Sequence, residues 1–497
     1  MSTSFGRTTA KVLPILAVAA LGAATASQAN TISRNGTLPG HKAESHVKHN
    51  AGPGPAYYAG GATLPAIAYV GQQAATATFD TVPGVGTSST VFGYFISNVS
   101  ANRGNDTITY CQTGSGFGKK VMDGVNVGTG SLAGEDAQLP CATLGNSPVT
   151  GVNGFGAGGG QPFGDFSGSD APLSSSEYTA WSTNYLSPSS PIYGHGLPTQ
   201  IPFVVGSVAI FYNNPDLGSS VRLNLTAAQL CKLAGGYISN WSQLGYPSRP
   251  LVFVGRKDGS GTTFSISNHL NATCASTVKP NNFSVSQQYY EYSPNSGTGV
   301  LPNPLNPGEN LANIAIASGN PGVALAIENN PGYIGYVEAA NALSLINGAN
   351  LNYAEINGKD PIADLPKSAG AITGALIQGQ AIGSDVQNGR APFVTLSPAD
   401  NCVYFVSPLK YSRPPGYPII GVSNLEFSQA LNGANAADLQ ALATTLINKT
   451  PENVGPGKIT SVDLYGKSSV GTTGFSTLNQ ATYQKVIKAA ASSCIGA

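Results

Sequence analysis

A run of apolar residues that leads directly into a glycine-rich turn constrains this chain more than any other feature. Residues 251–254 (Leu-Val-Phe-Val) read as a buried strand, and residues 259–262 (Gly-Ser-Gly-Thr) follow it and open a predicted helix. A strand, a turn and a helix in this order form the repeating unit of α/β proteins. Other short β-rich runs alternate with helical stretches, so the predicted fold class is α/β.

Two neighbouring apolar runs predict further buried strand. Residues 201–205 and 208–212 are rich in valine, isoleucine and phenylalanine. Gly206 lies between them, and an interior glycine commonly interrupts a strand. We therefore predict two strand segments broken at Gly206.

Helices are predicted at two places, and a long excursion at a third. The segment Leu225–Leu233 is helical in pattern, with Thr226 as a plausible N-cap. Residues Thr482–Ala491 predict an amphipathic helix, and Pro172 is a candidate helix start. The glycine-rich stretch 116–169 predicts a long surface excursion.

Chain length and charge balance limit the classes of protein to which this sequence can belong. The chain has 497 residues, 41% of them hydrophobic, which is enough for two domains with separate cores. Lysine plus arginine and aspartate plus glutamate each number 24, and this balance lacks the electrostatic footprint of a nucleic-acid-binding protein. A bound anion would have to be held by local dipoles and a few placed side chains.

The first residues predict a signal peptide over 1–29. Arg7 and Lys11 precede an apolar run at 12–24, and Ser27-Gln28-Ala29 offers a small-x-small cleavage site. The alternative, a membrane anchor, is disfavoured because the run is short for a bilayer. Residues 30–55 are polar, contain three histidines and predict a flexible linker, with a metal-binding tract as the alternative.

Six cysteines fit an oxidising compartment. They form no CxxC or Cys/His metal spacing, and six cysteines allow fifteen pairings that a sequence cannot decide. Our hypothesis pairs sequence neighbours: Cys111–Cys141, Cys231–Cys274 and Cys402–Cys494.

The segment 256–264 carries the strongest chemical signal. A strand that ends in a Gly-Ser-Gly-Thr turn places free backbone N–H groups and the positive end of a helix dipole at one point. Ser260 and Thr262 add hydroxyl donors, and Arg256 adds a planar guanidinium suited to a tetrahedral anion. Asp258 is placed to hold that guanidinium by an ion pair. The alternative is an ordinary glycine-rich turn with a surface arginine.

Three other segments have a similar character, although each alone is weak. Residues 60–65 (Gly-Gly-Ala-Thr-Leu-Pro) offer the Thr63 hydroxyl, and residues 110–116 end in Gly-Ser-Gly and offer Ser115. Residues 165–173 place the carboxylate of Asp170 after a run of small residues. These three segments could supply further contacts to the same anion that the segment 256–264 would bind.

An aspartate suits an anion site when the anion still carries a proton. Phosphate near neutral pH retains at least one proton, so it can donate a hydrogen bond to Asp170. Sulfate carries none and would meet a buried, unpaired carboxylate, which is costly. The alternative role for Asp170 is a helix N-cap.

In this order, the four segments resemble the phosphate-binding protein of the bacterial high-affinity phosphate transporter (PstS-like) and its secreted relatives, the DING proteins. The motifs are Gly-Ala-Thr-Leu-Pro, Tyr-x-x-x-Gly-Ser, Gly-Ser-Asp-Ala-Pro-Leu and Arg-x-Asp-Gly-Ser-Gly-Thr. Segments 224–244, 319–340 and 417–421 are also similar to that family. Two departures are the longer excursion before Asp170 and the lack of an Asp-Ile-Asn-Gly start.

The resemblance implies a two-lobed periplasmic binding protein fold (type II) with the ligand cleft between the lobes. The implied division after the signal peptide (1–29) and linker (30–55) is 56–204 for the first part of lobe 1, 205–416 for lobe 2, and 417–497 for the second part of lobe 1. The phosphate contacts implied on this chain are Thr63, the Leu64 backbone N–H, Ser115, Asp170, Arg256, Ser260, Gly261 and Thr262. Asp258 would orient Arg256, and no catalytic residue, metal or cofactor is implied.

The expected function is high-affinity binding of inorganic phosphate by a monomer outside the cytoplasm, periplasmic or secreted. The protein would serve an ABC transporter permease or act as a free scavenger. The main alternative is a phosphatase or phosphotriesterase of the DING type; Ser260 has no recognisable base partner, and His269 is predicted to be a helix-face residue rather than a base. A secreted structural protein and a binder of another oxyanion, such as arsenate, are further alternatives.

Overall fold

The computed structural model describes the folded part of the chain from Ala56 onward, with gaps. The described residues are 56–70, 84–85, 90–101, 106–123, 164–190, 192–217, 221–274, 283–289, 313–346, 351–383, 391–398, 401–446, 474–478 and 481–496. The predicted signal peptide (1–29) and linker (30–55) lie outside these residues.

The described strands are short, apart from one of 16 residues. They are β1 Ala56–Gly61, β2 Gly84–Val85, β3 Thr107–Cys111, β4 Phe166–Ser169, β5 Pro198–Asn213, β6 Asn224–Leu225, β7 Val252–Arg256, β8 Ile314–Ala317, β9 Tyr333–Glu338, β10 Leu351–Ile356, β11 Leu376–Gln378, β12 Gln380–Ile382, β13 Phe393–Thr395, β14 Tyr404–Val406, β15 Ile420–Ser428 and β16 Phe475–Thr477.

Helices separate most of these strands along the chain. They are α1 Ala66–Val70, α2 Val91–Asn98, α3 Ser115–Met122, α4 Ser175–Asn184, α5 Ala227–Ala234, α6 Gly261–Cys274, α7 Gly319–Glu328, α8 Ala339–Leu345, α9 Leu365–Ile372, α10 Pro408–Tyr411, α11 Ala436–Ala443 and α12 Ala481–Cys494. The alternation confirms the predicted α/β class.

One twelve-stranded sheet organises the described chain, in the order β2-β3-β1-β4-β15-β5-β9-β7-β8, with β6, β10 and β16 attached beside this path. Strands β3, β1 and β4 run parallel at one end of it. Strands β9, β7 and β8 run parallel at the other end. The carboxyl ends of parallel strands share an edge, which is where α/β proteins commonly place their ligands.

Strand β5 joins the two parallel sets. Its first part pairs antiparallel with β15, and residues 208–212 pair antiparallel with β9. The predicted break at Gly206 is wrong, because the strand is continuous and buried through that position. The glycine instead permits close packing, since a Cβ there would lie 2.4 Å from Leu64 Cδ2.

The predicted excursion at 116–169 is also wrong at both ends. Residues 115–122 form α3, and residues 166–169 form β4. The chain between residues 124 and 163 lies outside the described residues. Pro172 does not begin a helix: α4 begins at Ser175, where Ser174 and Glu177 form a capping box.

Two other helix predictions are confirmed. Thr226 caps α5, and its partner in a capping box is Gln229. The closing helix is α12, slightly longer than predicted at Ala481–Cys494. Its Tyr483 and Ile487 are buried against the sheet.

Two of the hypothesised disulfides are confirmed. Cys231 is bonded to Cys274, which ties α5 to α6. Cys402 is bonded to Cys494, which ties the end of α12 to the segment before β14. Cys111 is disulfide-bonded, and its predicted partner Cys141 lies outside the described residues.

A search of the described helices for a membrane-crossing segment finds no candidate of sufficient length and apolarity.

Candidate functional site

The four sequence segments meet at one place, between the carboxyl ends of the two parallel strand sets. Thr63 follows β1, Ser115 begins α3 after β3, and Asp170 follows β4. Arg256 ends β7, and residues 260–262 lead from it into α6. All these side chains are almost fully buried, with exposed fractions of 0–2%.

Backbone hydrogen bonds hold the first three segments together. Gly114 N–H donates to Gly61 O at 2.8 Å, and Ala62 N–H donates to Gly168 O at 2.7 Å. The Tyr110 hydroxyl donates to Ala62 O at 2.8 Å. The turns after β1, β3 and β4 therefore form one rigid wall of the site.

Ser115 connects that wall to the opposite one. Its Oγ accepts hydrogen bonds from Asp170 N and from Gly261 N, each at 3.1 Å. Gly116 N–H donates to Gly259 O at 3.1 Å beside it. The turn before α6 therefore sits directly against the start of α3, and two helix N-termini face the same point.

Only a glycine fits at position 261, because there is no room for a side chain. A Cβ on it would lie 2.3 Å from Asp170 Cβ and 2.6 Å from Ser115 Oγ, which is far inside contact distance. The Gly261 amide, a predicted ligand contact, donates to Ser115 Oγ in this structure.

Arg256 and Asp258 form the buried ion pair that the sequence predicted. Arg256 Nε donates to Asp258 Oδ1 at 2.8 Å, and Nη2 makes a short contact with Asp258 Oδ2. The amide of Gly319, at the start of α7, donates to Asp258 Oδ1 at 2.8 Å. With two nitrogens held in this way, Nη1 remains for the site, and it lies 3.3 Å from Thr262 Oγ1.

Asp170 combines full burial with an unused acceptor. Burial raises the pKa of Asp170 to about 7, and hydrogen bonds from Ser423 and Ser115 and the charge of Arg256 oppose the rise only in part. Within the described part of the chain, its Oδ1 has no hydrogen-bond partner. A buried carboxylate oxygen of this kind calls for a donor, and Asp170 caps no helix.

Ser260 and Leu64 have structural tasks in addition to their predicted ones. Ser260 Oγ accepts a hydrogen bond from Thr263 N at 3.0 Å and so caps the first turn of α6. The Leu64 side chain lies in the hydrophobic core, so only its backbone can face the ligand position.

Asn320 is the residue that sequence reasoning missed. It lies in the first turn of α7, fully buried. Its Nδ2 is 3.0 Å from Thr63 Oγ1 and 3.1 Å from Thr262 Oγ1. The sequence signal was weak, because Ser318-Gly319-Asn320 is one more turn of small and polar residues directly after a strand, here β8.

His269 is a buried residue of α6, in agreement with the helix-face prediction. Its Nδ1 lies 2.8 Å from Ser412 O, and burial lowers its pKa to about 4. No group of three or more metal-ligating side chains occurs among the residues that the structure describes.

Comparison with known proteins agrees with this arrangement. The sequence profile of the PBP superfamily domain matches residues 72–392. Alkaline phosphatase L of Pseudomonas aeruginosa is 28% identical over 296 residues, which cover 58% of this chain and 67% of that protein. Phosphate-binding protein PstS 3 of Mycobacterium tuberculosis is 30% identical over 253 residues, covering 47% and 57%. The chain thus spans a little over half to two thirds of these relatives.

A solved structure shows the same fold. The phosphate-binding protein of Stenotrophomonas maltophilia superposes with a TM-score of 0.54 at 20% identity. The alignment covers 87% of this chain and 93% of that one. At this identity the likeness concerns the two-lobed α/β architecture alone, and it confirms the predicted fold.

Proposed function

The chain belongs to the PBP superfamily, and from this premise we propose that it binds inorganic phosphate in the site between the two strand sets. The predicted resemblance to PstS-like and DING proteins is confirmed by the matches to phosphate-binding proteins, one of them a DING protein. We assign the same ligand, phosphate, to this chain because its own side chains form a site that suits phosphate.

The observation that carries the proposal is the direction of the hydroxyl hydrogens. Three hydroxyls each accept two hydrogen bonds from N–H groups: Ser115 from Asp170 N and Gly261 N, Thr63 from Asn320 N and Nδ2, and Thr262 from Arg256 Nη1 and Asn320 Nδ2. A hydroxyl has two lone pairs and one hydrogen. Each of these hydroxyls can therefore serve a further partner only as a donor. Ser115 Oγ already donates to Asp170 Oδ2 at a long 3.5 Å, so the hydrogens of Thr63 and Thr262 are the ones left for a ligand.

Among the predicted ligand residues that the structure describes, Asp170 Oδ1 is the buried acceptor left without a partner. Several donors around a single buried acceptor match an oxyanion that carries both bare oxygens and a hydroxyl. Hydrogen phosphate and dihydrogen phosphate meet that description, whereas sulfate has no hydrogen to offer. A carboxylate that faces an unprotonated anion discriminates by repulsion.

We propose binding without turnover, although one relative carries the name of a phosphatase. Attack on phosphorus needs a free lone pair on the nucleophile. Both lone pairs of Ser115 Oγ are taken by amide donors, and one of the two lone pairs of Ser260 Oγ is taken by Thr263 N. These contacts suit donors fixed in place rather than an activated nucleophile.

The proposed setting is outside the cytoplasm, in the periplasm or secreted, because the disulfides Cys231–Cys274 and Cys402–Cys494 persist in oxidising compartments. There the protein would act as a monomer and hand phosphate to an ABC transporter permease or hold it as a scavenger. The lobe division proposed from the sequence places its first boundary within β5, at residues 204/205, and its second just before β15, at 416/417.

Titration calorimetry of metal-stripped protein with phosphate and with sulfate tests the proposal. We expect one phosphate site per chain and no heat from sulfate at pH 8. Incubation with p-nitrophenyl phosphate should release no product beyond the buffer rate. Absence of phosphate binding would refute the binding role, and steady turnover would favour the enzyme alternative.

A further inference from the structure

Asn320 occupies a position from which it touches both walls of the site. Thr63 belongs to the segment after β1, and Thr262 belongs to α6 on the opposite wall. The Asn320 carboxamide nitrogen lies within 3.1 Å of both hydroxyl oxygens.

The orientation of the Asn320 amide is fixed by its other end. Its Oδ1 accepts the backbone N–H of Glu338 at 3.0 Å. Because the oxygen must face that donor, the NH₂ group must face the threonines. Glu338 is itself held, since its carboxylate accepts the amides of Ala340 and Asn341 at 2.7 and 3.1 Å.

The consequence is that Asn320 dictates what the two threonines can do. Its NH₂ group has two hydrogens, one for each hydroxyl oxygen. A hydroxyl that accepts from Asn320 cannot donate to it, so its hydrogen is left for a ligand. Removing the carboxamide would free one lone pair on Thr63 and one on Thr262 and let both hydroxyls rotate.

We infer that Asn320 is a positioning residue for anion binding, which directs the hydroxyl hydrogens of Thr63 and Thr262 at the ligand and joins the two walls of the site. This assignment rests on the proposed function. It adds Asn320 to the eight predicted phosphate contacts, as a residue that acts on the ligand through two of them, Thr63 and Thr262.

The test is a double-mutant cycle on phosphate affinity, measured by calorimetry. Asn320→Ala should weaken phosphate binding by about tenfold to hundredfold, the scale of one to two lost hydrogen bonds to a charged group. Thr63→Val should weaken it to a similar extent alone. In the Asn320→Ala background, Thr63→Val should cost less than about threefold, because the hydroxyl is no longer aimed.

Fully additive effects of Asn320→Ala and Thr63→Val would overturn the assignment, since a merely structural role makes the two losses independent. Affinity of Asn320→Ala equal to wild type would overturn it too. If wild type itself binds no phosphate, the proposed function fails first, and that result is separate from a failed cycle.

Two further variants test whether a loss of affinity comes from the Asn320 contacts rather than from poor folding. Asn320→Ser keeps a small polar side chain in the buried position but is too short to reach the threonines, so it should repeat the loss of affinity even if the alanine variant folds poorly. Asn329→Ala is the matched control, because Asn329 caps the far end of the same helix, is exposed, and donates its side-chain amide to Leu325 O at 2.9 Å. Its phosphate affinity should equal that of wild type.

Discussion

Ser115 Oγ accepts a hydrogen bond from the backbone N–H of Asp170 at 3.1 Å and donates one to Oδ2 of the same residue at 3.5 Å. Ser115 therefore fixes the position of Asp170 from two sides. The other carboxylate oxygen, Oδ1, is left as the buried acceptor. Selectivity of the site should depend on that one atom.

Asp170→Asn should relax the discrimination between phosphate and sulfate. An amide carries no negative charge and can donate from its NH₂ group, so the repulsion of an unprotonated anion disappears. Competition titrations of the variant should show sulfate displacing phosphate, whereas wild type at pH 8 resists it. Unchanged selectivity would remove Asp170 from its assigned role.

The ionisation of Asp170 should make stability depend on pH. Burial raises its pKa from 3.8 to about 7, so the ionised form is penalised by folding. The penalty is absent below the unfolded pKa and grows as pH rises to about 7. Without phosphate, Asp170→Asn should raise the free energy of unfolding at pH 8 by about 1.4 kcal/mol for each unit of pKa difference.

At about pH 4 the same variant should gain nothing, because the wild-type carboxyl is then protonated in the folded state. Urea unfolding across this pH range checks the expectation. An equal gain at both ends of the range would show that packing, rather than charge, explains the change.

Arg256→Ala should weaken phosphate binding by at least ~2 kcal/mol, the scale of a lost charge-assisted contact. Arg256→Lys should not restore it, because an ammonium cannot match the two-nitrogen contact with Asp258 and also reach the ligand. Calorimetry gives the affinity.

Arg249→Ala supplies the control for Arg256. Arg249 also binds one aspartate through two nitrogens, at 2.7 and 3.1 Å from Asp216, but on the partly exposed surface of the protein. Its loss should leave phosphate affinity unchanged. A parallel drop in both variants would point to a general effect of positive charge.

Gly261→Ala should abolish measurable phosphate binding, since the new methyl group would collide with Asp170 Cβ and Ser115 Oγ. Gly370→Ala in α9 is the matched control: a Cβ there meets nothing within 4 Å. It should stabilise the helix by about 0.5–1 kcal/mol without changing affinity. Thermal melting with and without phosphate measures both effects, and a phosphate-dependent shift in Gly261→Ala would contradict the prediction.

The sequence allowed the convergence of the four segments to be predicted, because the turn chemistry of each segment is local. Arg256, Asp258 and Thr262 lie within seven residues, and their turn chemistry is visible without the fold. That Ser115 and Asp170 meet them followed from the ordered family motifs. Asn320 escaped because an asparagine after a glycine has many ordinary roles, and only its contacts with Thr63 and Thr262 reveal its importance.

The wrong predictions have a common physical origin. Gly206 looked like a strand break, yet its missing side chain makes room for Leu64, a residue 142 positions earlier in the chain. Pro172 looked like a helix start, but the capping box of Ser174 and Glu177 sets the true one. In both cases the residue has a strong local preference, but its structural role is determined by other residues that pack against it or follow it in the chain.

The continuous strand β5 has a consequence for how the chain is made. Its ladder partners include β15 and β16, which lie more than 200 residues later in the sequence. During synthesis β5 must wait, unpaired on that side, until more than 200 further residues have left the ribosome. Pairings so distant are slow to form, so the first half of β5 is among the last parts of the sheet to be completed.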